Sequence, residues 1–263
     1  MKMYVLDNGK IVMSANNQVT TDSGEGEAPA IPVHSFLFDT EKGWVLFDNG
    51  CDPQGMTKNW PEHMRANPYI AGEQGSMEQQ LAILGLKPED ISIVVMSHLH
   101  LDHAGSLGLF KNAKVYVSQE EFNKTMHAYA DKDFSGFHME TDINSWLRAE
   151  LKWCFLPSDT REFELCKGLT ILNFGSGHSY GMLGLFVELK QDGVFLLAAD
   201  TIYTSDHFGP PAKMAGIAYD SDGYFATVEY IRTLAKERHA TILFGHDMEQ
   251  FQTLKKAGEG FYQ

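Results

Sequence analysis

The sequence predicts an α/β protein in which two β-sheets pack together beneath covering helices. Short apolar runs bounded by turn residues occur both early and late in the chain, and segments with helical spacing of apolar residues lie between them. No internal repeat, low-complexity segment or Pro/Gly/Ser-rich linker divides the 263 residues, so residues 1–263 read as one domain.

Taken in order, the N-terminal stretch MKMYVLDNGKIVMSANN is interrupted by Asp7, Asn8 and Gly9 and so lacks a signal-peptide core. VHSFLF (33–38) and WVLFD (44–48) flank the turn DTEKG and predict a hairpin. Strands are then expected at ISIVVMS (91–97), AKVYVS (113–118), LTILNF (169–174), GLFVEL (184–189), VFLLAAD (194–200) and ATILFG (240–245). Helices are expected at 76–86, capped by Ser76 and ended by Gly85, at 118–130 and at 222–239. In the last, Phe225, Val228, Ile231, Thr233, Leu234 and Ala235 recur at helical spacing and predict a core-facing stripe. Segments 51–75 and 131–150 read as irregular. They carry Met56, Trp60, Met64, Tyr69, Phe134, Phe137, Met139 and Trp146, a set that suits an apolar substrate tail and suits a subunit contact equally well.

Composition narrows the function. A net charge of −14 opposes binding to nucleic acid or anionic membrane. No run of about 18 apolar residues is present to span a bilayer. Cys51, Cys154 and Cys166 are odd in number and form no CxxC pair, which fits free thiols in a reducing, cytoplasmic setting.

The chemistry concentrates in SHLHLDHAG (97–105), which places His98, His100, Asp102 and His103 in six positions directly after a predicted strand. A merely solvated turn would favour Lys, Glu and Ser over three imidazoles. Three other strand ends supply potential partners: His178 in GSGHSYG, Asp200 at the end of VFLLAAD, and His246 after ATILFG. Imidazole and carboxylate donors without thiolate suit zinc and tolerate iron, cobalt or manganese.

HLHLDH followed by His178, Asp200 and His246 resembles the HxHxDH…H…D…H pattern of the metallo-β-lactamase superfamily. DTIYT (200–204), FGHDMEQ, IPVHSFLF and LFDNG more narrowly resemble the quorum-quenching N-acyl-homoserine lactonases. The resemblance implies an αββα sandwich of two mixed sheets flanked by helices, with two divalent metal ions, usually zinc. It implies that His98, His100 and His178 hold one ion, that Asp102, His103 and His246 hold the other, and that Asp200 bridges them. It further implies a catalytic Tyr203, a supporting Asp48, and Asp102 as carrier of a proton to the leaving alkoxide. One departure is evident. The family's HxPGH loop here reads His178-Ser179-Tyr180-Gly181-Met182, which alters the loop's outer shape and bears on substrate preference.

Opening a lactone needs a nucleophile at neutral pH and stabilisation of the oxyanion. Zinc lowers the pKa of bound water to about 7, and two ions roughly 3.5–4 Å apart can hold a bridging hydroxide and polarise the carbonyl. A tyrosine donor to that carbonyl is worth about 10²–10³ in rate. The implied function is hydrolysis of N-acyl-homoserine lactones or related γ-lactones, by a monomer or homodimer. A thioesterase of the glyoxalase II type or an organophosphate hydrolase would share the metal donors without needing Tyr203. A di-iron oxidoreductase would usually need a flavin-binding partner. Cys51 reads as a buried thiol. His34, His63, His127, His138, His207 and His239 read as surface or packing residues, with His207 a candidate for the pocket wall.

Overall fold

The computed structural model describes residues 1–13, 19, 29–72, 74–134 and 136–263. The first sheet contains β1 (Lys2–Val12), β2 (Ala30–Thr40), β3 (Gly43–Phe47), β4 (Tyr69–Ile70), β5 (Ile91–Val95), β6 (Lys114–Ser118) and β7 (Lys152–Leu156). Their spatial order is β4-β1-β2-β3-β5-β6-β7. The second contains β8 (Glu162–Cys166), β9 (Leu169–Gly175), β10 (Met182–Leu189), β11 (Gly193–Ala199) and β12 (Thr241–Phe244), in the order β12-β11-β10-β9-β8. Both sheets are mixed: β3, β5, β6 and β7 run parallel, as do β11 and β12, while the remaining pairs are antiparallel.

The helices are α1 (Met77–Ile83), α2 (Leu101–Ala104), α3 (Gln119–Asp131), α4 (Glu140–Ala149), α5 (Ser205–Phe208), α6 (Ser221–Arg238) and α7 (Met248–Thr253). Strand alternation sorts the apolar side chains into layers. Val45 and Phe47 point between the sheets, where they share a core with Leu185, Val187 and Leu197. Leu46 points to the outer face and packs with Met77 and Leu81 of α1 and Ile143 and Trp146 of α4. On the other side, Leu196 and Ala198 meet Tyr224, Val228 and Ile231 of α6. The result is the expected helix–sheet–sheet–helix sandwich.

The predicted hairpin is present, with Asp39 paired to Trp44 and Thr40 to Gly43. Ser76 caps α1 by accepting from the Gln79 amide, and Gly85 follows its end at φ +72°. Four strands were not expected: β1, β4, β7 and β8. Segment 131–150 is only partly irregular, because α4 occupies its second half. Segment 51–75 keeps two single-turn helical pieces, at 55–59 and 64–66, and the short β4. The stripe on α6 also needs correction. Phe225 is 39% exposed, while the adjacent Tyr224 is fully buried and takes the place expected for it. Thr233 likewise faces outward.

Candidate metal centre

Every predicted donor sits just beyond the C-terminal end of a strand. β5 ends at Val95; the chain then carries His98 and an extended His100, and the four-residue α2 presents Asp102 and His103. From the second sheet, His178 lies in the turn between β9 and β10, Asp200 follows β11, and His246 lies two residues past β12. All seven side chains are buried.

They gather in two groups, within each of which the donor atoms lie within 4.8 Å of one another: His98, His100 and His178, and Asp102, His103, Asp200 and His246. Asp200 reaches both. Its Oδ1 is 3.1 Å from His103 Nε2, and its Oδ2 is 3.0 Å from His246 Nε2, 3.3 Å from His178 Nε2 and 4.0 Å from His98 Nε2. Asp102 Oδ2 lies 3.5 Å from His103 Nε2 and 3.4 Å from His246 Nε2. His100 turns its Nδ1 to within 3.0 Å of His178 Nε2.

The outward nitrogens explain which way the inward ones face. His178 Nδ1 donates to the Ile217 carbonyl at 3.0 Å, and His246 Nδ1 to the Pro32 carbonyl at 3.1 Å. His103 Nδ1 donates to Asp48 Oδ2 at 2.8 Å. A carbonyl can only accept, so Nδ1 carries the proton in the first two rings and Nε2 presents a lone pair. His98 Nε2, His103 Nε2 and Asp200 Oδ1 are buried yet make no aligned hydrogen bond among the described residues. Each such orphan ordinarily costs about 1–3 kcal/mol. Three of them converging on one another form a donor set suited to a dinuclear metal site.

Electrostatics agree. Burial, then the neighbouring imidazoles, push His98 and His100 well below the usual histidine range, so their lone pairs are available. Burial also lowers His178. For His103 burial is opposed and outweighed by the carboxylates of Asp200, Asp102 and Asp48, which hold it well above that range. Asp200 would be raised by burial, but His246 and His103 keep it ionised.

Tyr203 is 2% exposed, and its ring lies 4.9 Å from that of His246. Its hydroxyl lies 3.3 Å from His178 Nδ1, whose proton already goes to Ile217, so the phenolic hydrogen is left for the adjoining cleft. Burial, then Asp200 and Asp102, push this phenol well above its usual range and keep it a donor. The cleft has about 50 Å³ of interior room and is walled by Ile31, Trp60, Met64, Phe137, Tyr203 and Ile217, with His100, Asp102, His178, Asp200 and His246 at its floor. A broader groove of about 930 Å³, lined by residues such as Glu78 and Arg148, contains none of the seven donors. Size does not mark the site here; chemistry does.

Several expectations are refined. Of the aromatic and methionine residues, Trp60, Met64 and Phe137 wall the cleft, with Met56 and Met139 in the apolar cluster behind them. Trp146 and Phe134 instead pack in the outer-face core, where Trp146 Nε1 donates to Ala104 O at 3.0 Å. Tyr69 packs behind Trp60 and donates to Asn8 O at 2.6 Å. His63, His127 and His239 are exposed. His207 does not wall the cleft; its Nε2 donates to Val19 O at 2.9 Å. Cys51 is buried, and burial raises its thiol. Tyr180 stacks on His138, and Met182 is buried at the start of β10.

Two supporting groups escaped the sequence reading. Ser97 donates its amide and hydroxyl to Asp48 at 2.8 and 2.7 Å, and Glu121 is a fully buried carboxylate beside the histidine turns. Burial would raise Glu121, but hydrogen bonds from His138, Leu99 and Ser179 hold it below the usual range.

A family model described as the metallo-beta-lactamase superfamily matches residues 28–246. The chain belongs to the metallo-beta-lactamase superfamily. Within that superfamily it is 40% identical over 273 residues to the N-acyl homoserine lactonase AiiB of Agrobacterium fabrum, covering 100% of this chain and 99% of the relative. It is 27% identical to the N-acyl homoserine lactonase AiiA of Bacillus thuringiensis subsp. kurstaki, over 95% of this chain and 94% of that one. A crystal structure of a B. thuringiensis AiiA mutant, with N-decanoyl-L-homoserine bound at its active site, matches with a TM-score of 0.84 at 25% identity. That match covers 100% of this chain and 98% of the other. The αββα sandwich is therefore the metallo-beta-lactamase fold.

Proposed function

We propose that this protein is a dinuclear metal-dependent hydrolase that opens the ring of N-acyl homoserine lactones, a quorum-quenching lactonase. The observation that carries the reading is the pair of convergent donor groups sharing Asp200 at the floor of an apolar cleft. The kinship with named lactonases across the whole chain supports the substrate class.

In this reading His98, His100 and His178 would hold one ion and Asp102, His103 and His246 the other, with Asp200 available to both groups. The all-imidazole and carboxylate donor set favours zinc. When bound, the two ions would supply a Lewis acid and a water acidified toward neutral pH. The chain's own residues do the rest. Trp60, Met64 and Phe137 exclude water and receive the apolar acyl chain. Tyr203, a protonated phenol facing the cleft, donates to the lactone carbonyl and stabilises the charge that develops there. Asp102 stands at the cleft floor, where its carboxylate can take up the proton given by the attacking water and pass it to the departing alkoxide oxygen.

We further propose a single domain over residues 1–263 that acts as a monomer or homodimer. The three free cysteines favour a cytoplasmic setting. The charge of −14 disfavours nucleic acid and membrane partners. Among the described residues no helix is long and apolar enough to cross a membrane.

The deciding experiment follows proton release as short- and long-chain acyl-homoserine lactones open, using zinc-loaded wild type and Tyr203→Phe. Rapid opening that falls at least about tenfold in the variant, with metal content unchanged, is the expected result. An undiminished rate removes Tyr203 from the mechanism. No opening of any lactone by metal-loaded protein overturns the reading in favour of thioesters or phosphotriesters.

A further inference from the structure

Glu121 is 0% exposed in the first turn of α3, and its carboxylate gathers three separate segments. Oε1 accepts from the Leu99 amide at 2.9 Å, between His98 and His100, and from His138 Nε2 at 3.1 Å. Oε2 accepts from the Gly181 amide at 3.0 Å, and Ser179 Oγ reaches the two oxygens at 3.0 and 2.8 Å, all on the turn that carries His178. His138 in turn stacks on Tyr180, with ring centres 5.3 Å apart and planes 4° apart, and sits edge-on to His100 at 4.8 Å. The turn is pressed against α3 so closely that a Cβ on Gly181 would lie 2.2 Å from Ser118 Oγ and 3.0 Å from the Glu121 amide.

These bonds have a direction. Both segments that carry His98, His100 and His178 are tied to Glu121, whereas among the described residues it makes no hydrogen bond to those carrying His103, Asp200 or His246. The latter group has its own anchor, the Asp48 carboxylate on His103. We infer that Glu121 is the positioning residue of the three-histidine group, fixing the His98–His100 segment and the His178 turn at the separation at which they share one ion. The inference rests on the two-ion reading above.

The chemistry requires a carboxylate. Each oxygen takes one backbone N–H, Leu99 on one and Gly181 on the other. In Glu121→Gln, whichever oxygen becomes NH₂ faces a backbone donor that cannot rotate away, so a near-isosteric change still breaks the junction. Outer partners of metal ligands are typically worth 10–100-fold in metal affinity.

The test is zinc affinity and stoichiometry by chelator competition in wild type, Glu121→Gln and Ser179→Ala, with anomalous diffraction to locate the ions. Two ions are expected in wild type. Glu121→Gln should weaken one by about 10–100-fold and leave the other held by Asp102, His103, Asp200 and His246. Equal weakening of both ions, two ions of unchanged affinity, or a surviving ion among His98, His100 and His178 would each overturn the inference. Ser179→Ala removes one donor and keeps both backbone bonds, so it decides the matter if Glu121→Gln does not fold. A smaller weakening of the same ion supports the role, and unchanged affinity overturns it. Wild type that binds fewer than two ions overturns the two-ion reading itself, a separate and recognisable failure.

Discussion

Asp48 Oδ2 accepts the Nδ1 proton of His103 at 2.8 Å across 55 residues of sequence. The same carboxylate takes the amide and hydroxyl of Ser97 at 2.8 and 2.7 Å, and Asp48 holds this pose in the left-handed region at φ +58°. The contact places a proton on His103 Nδ1 and aims Nε2 at the donor cluster of Asp102, Asp200 and His246. Asp48→Asn is expected to lower affinity for the ion at His103 by about 10–100-fold. Chelator competition at fixed pH measures this, and an unchanged affinity would refute the role.

Metal loading should release protons. In the metal-free protein His103 is held well above the usual histidine range because Asp200, Asp102 and Asp48 outweigh the effect of burial. At His246 burial is the largest single influence, but Asp200 and Asp102 together outweigh it and raise the ring above its usual value. His103 therefore holds a proton on each ring nitrogen at neutral pH, and an ion must displace the one on Nε2. At least one proton per molecule is expected to leave on zinc binding at neutral pH, with affinity falling as the pH is lowered. Calorimetry in buffers of different ionisation enthalpy counts them; a count of zero contradicts the protonation pattern.

The seven clustered side chains were legible because each interrupts or ends an apolar run at a place where a strand must turn. Their supports were not. Glu121 sits in SQEEFNK, where a carboxylate looks solvated, and only the folded turns at Leu99 and Gly181 show that it is buried. Phe225 and Tyr224 are neighbours, and a helical stripe one residue off serves equally well until the packing partner is known. β7 and β8 lie at sheet edges and leave Phe155 and Phe163 exposed, so they lack a clean two-residue alternation. β1 is divided by the irregularity between Asp7 and Lys10, which hides one long strand as two fragments.

His34 gives acid sensitivity. Its ring packs between Phe36 and Phe251, 5.2 Å from each, and Nδ1 is buried without a hydrogen-bond partner among the described residues. Burial, then His246 and His103, push its pKa down to about 3. Above the unfolded value of about 6.5 the ring is neutral in both states and contributes nothing. As pH falls below that value the unfolded chain takes up a proton and the folded one does not, so stability is lost down to the folded pKa. His34→Phe should therefore gain on wild type by up to about 2 kcal/mol between pH 7.5 and pH 5. Denaturant titration at the two pH values tests this, and a pH-independent difference would exclude it.

Gly105 follows the four-residue helix that carries Asp102 and His103. Its backbone is helical, yet a Cβ there would lie 2.1 Å from the Asp52 amide nitrogen and 2.5 Å from the Cys51 carbonyl carbon. Backbone cannot step aside as a side chain can. Gly105→Ala is expected to cost about 1–3 kcal/mol, seen as a Tm lower by roughly 2–12 °C in the metal-free protein. An unchanged Tm would show that the loop at Cys51 yields freely.

The division of the donors between two sheets sets an order of events during synthesis. A nascent chain that has just emerged through His103 already carries four of the seven donors, on the first sheet's half of the molecule. Neither group is then complete: one waits for His178, the other for Asp200 and His246. At about 5–20 residues per second, His246 follows His103, 143 residues earlier, by about 7 to 29 seconds. During that interval a cation can meet SHLHLDHAG only as a loose, exposed chelator. The complete donor set exists only in the finished sandwich, so an ion that needs all seven donors would be the last component to join the fold.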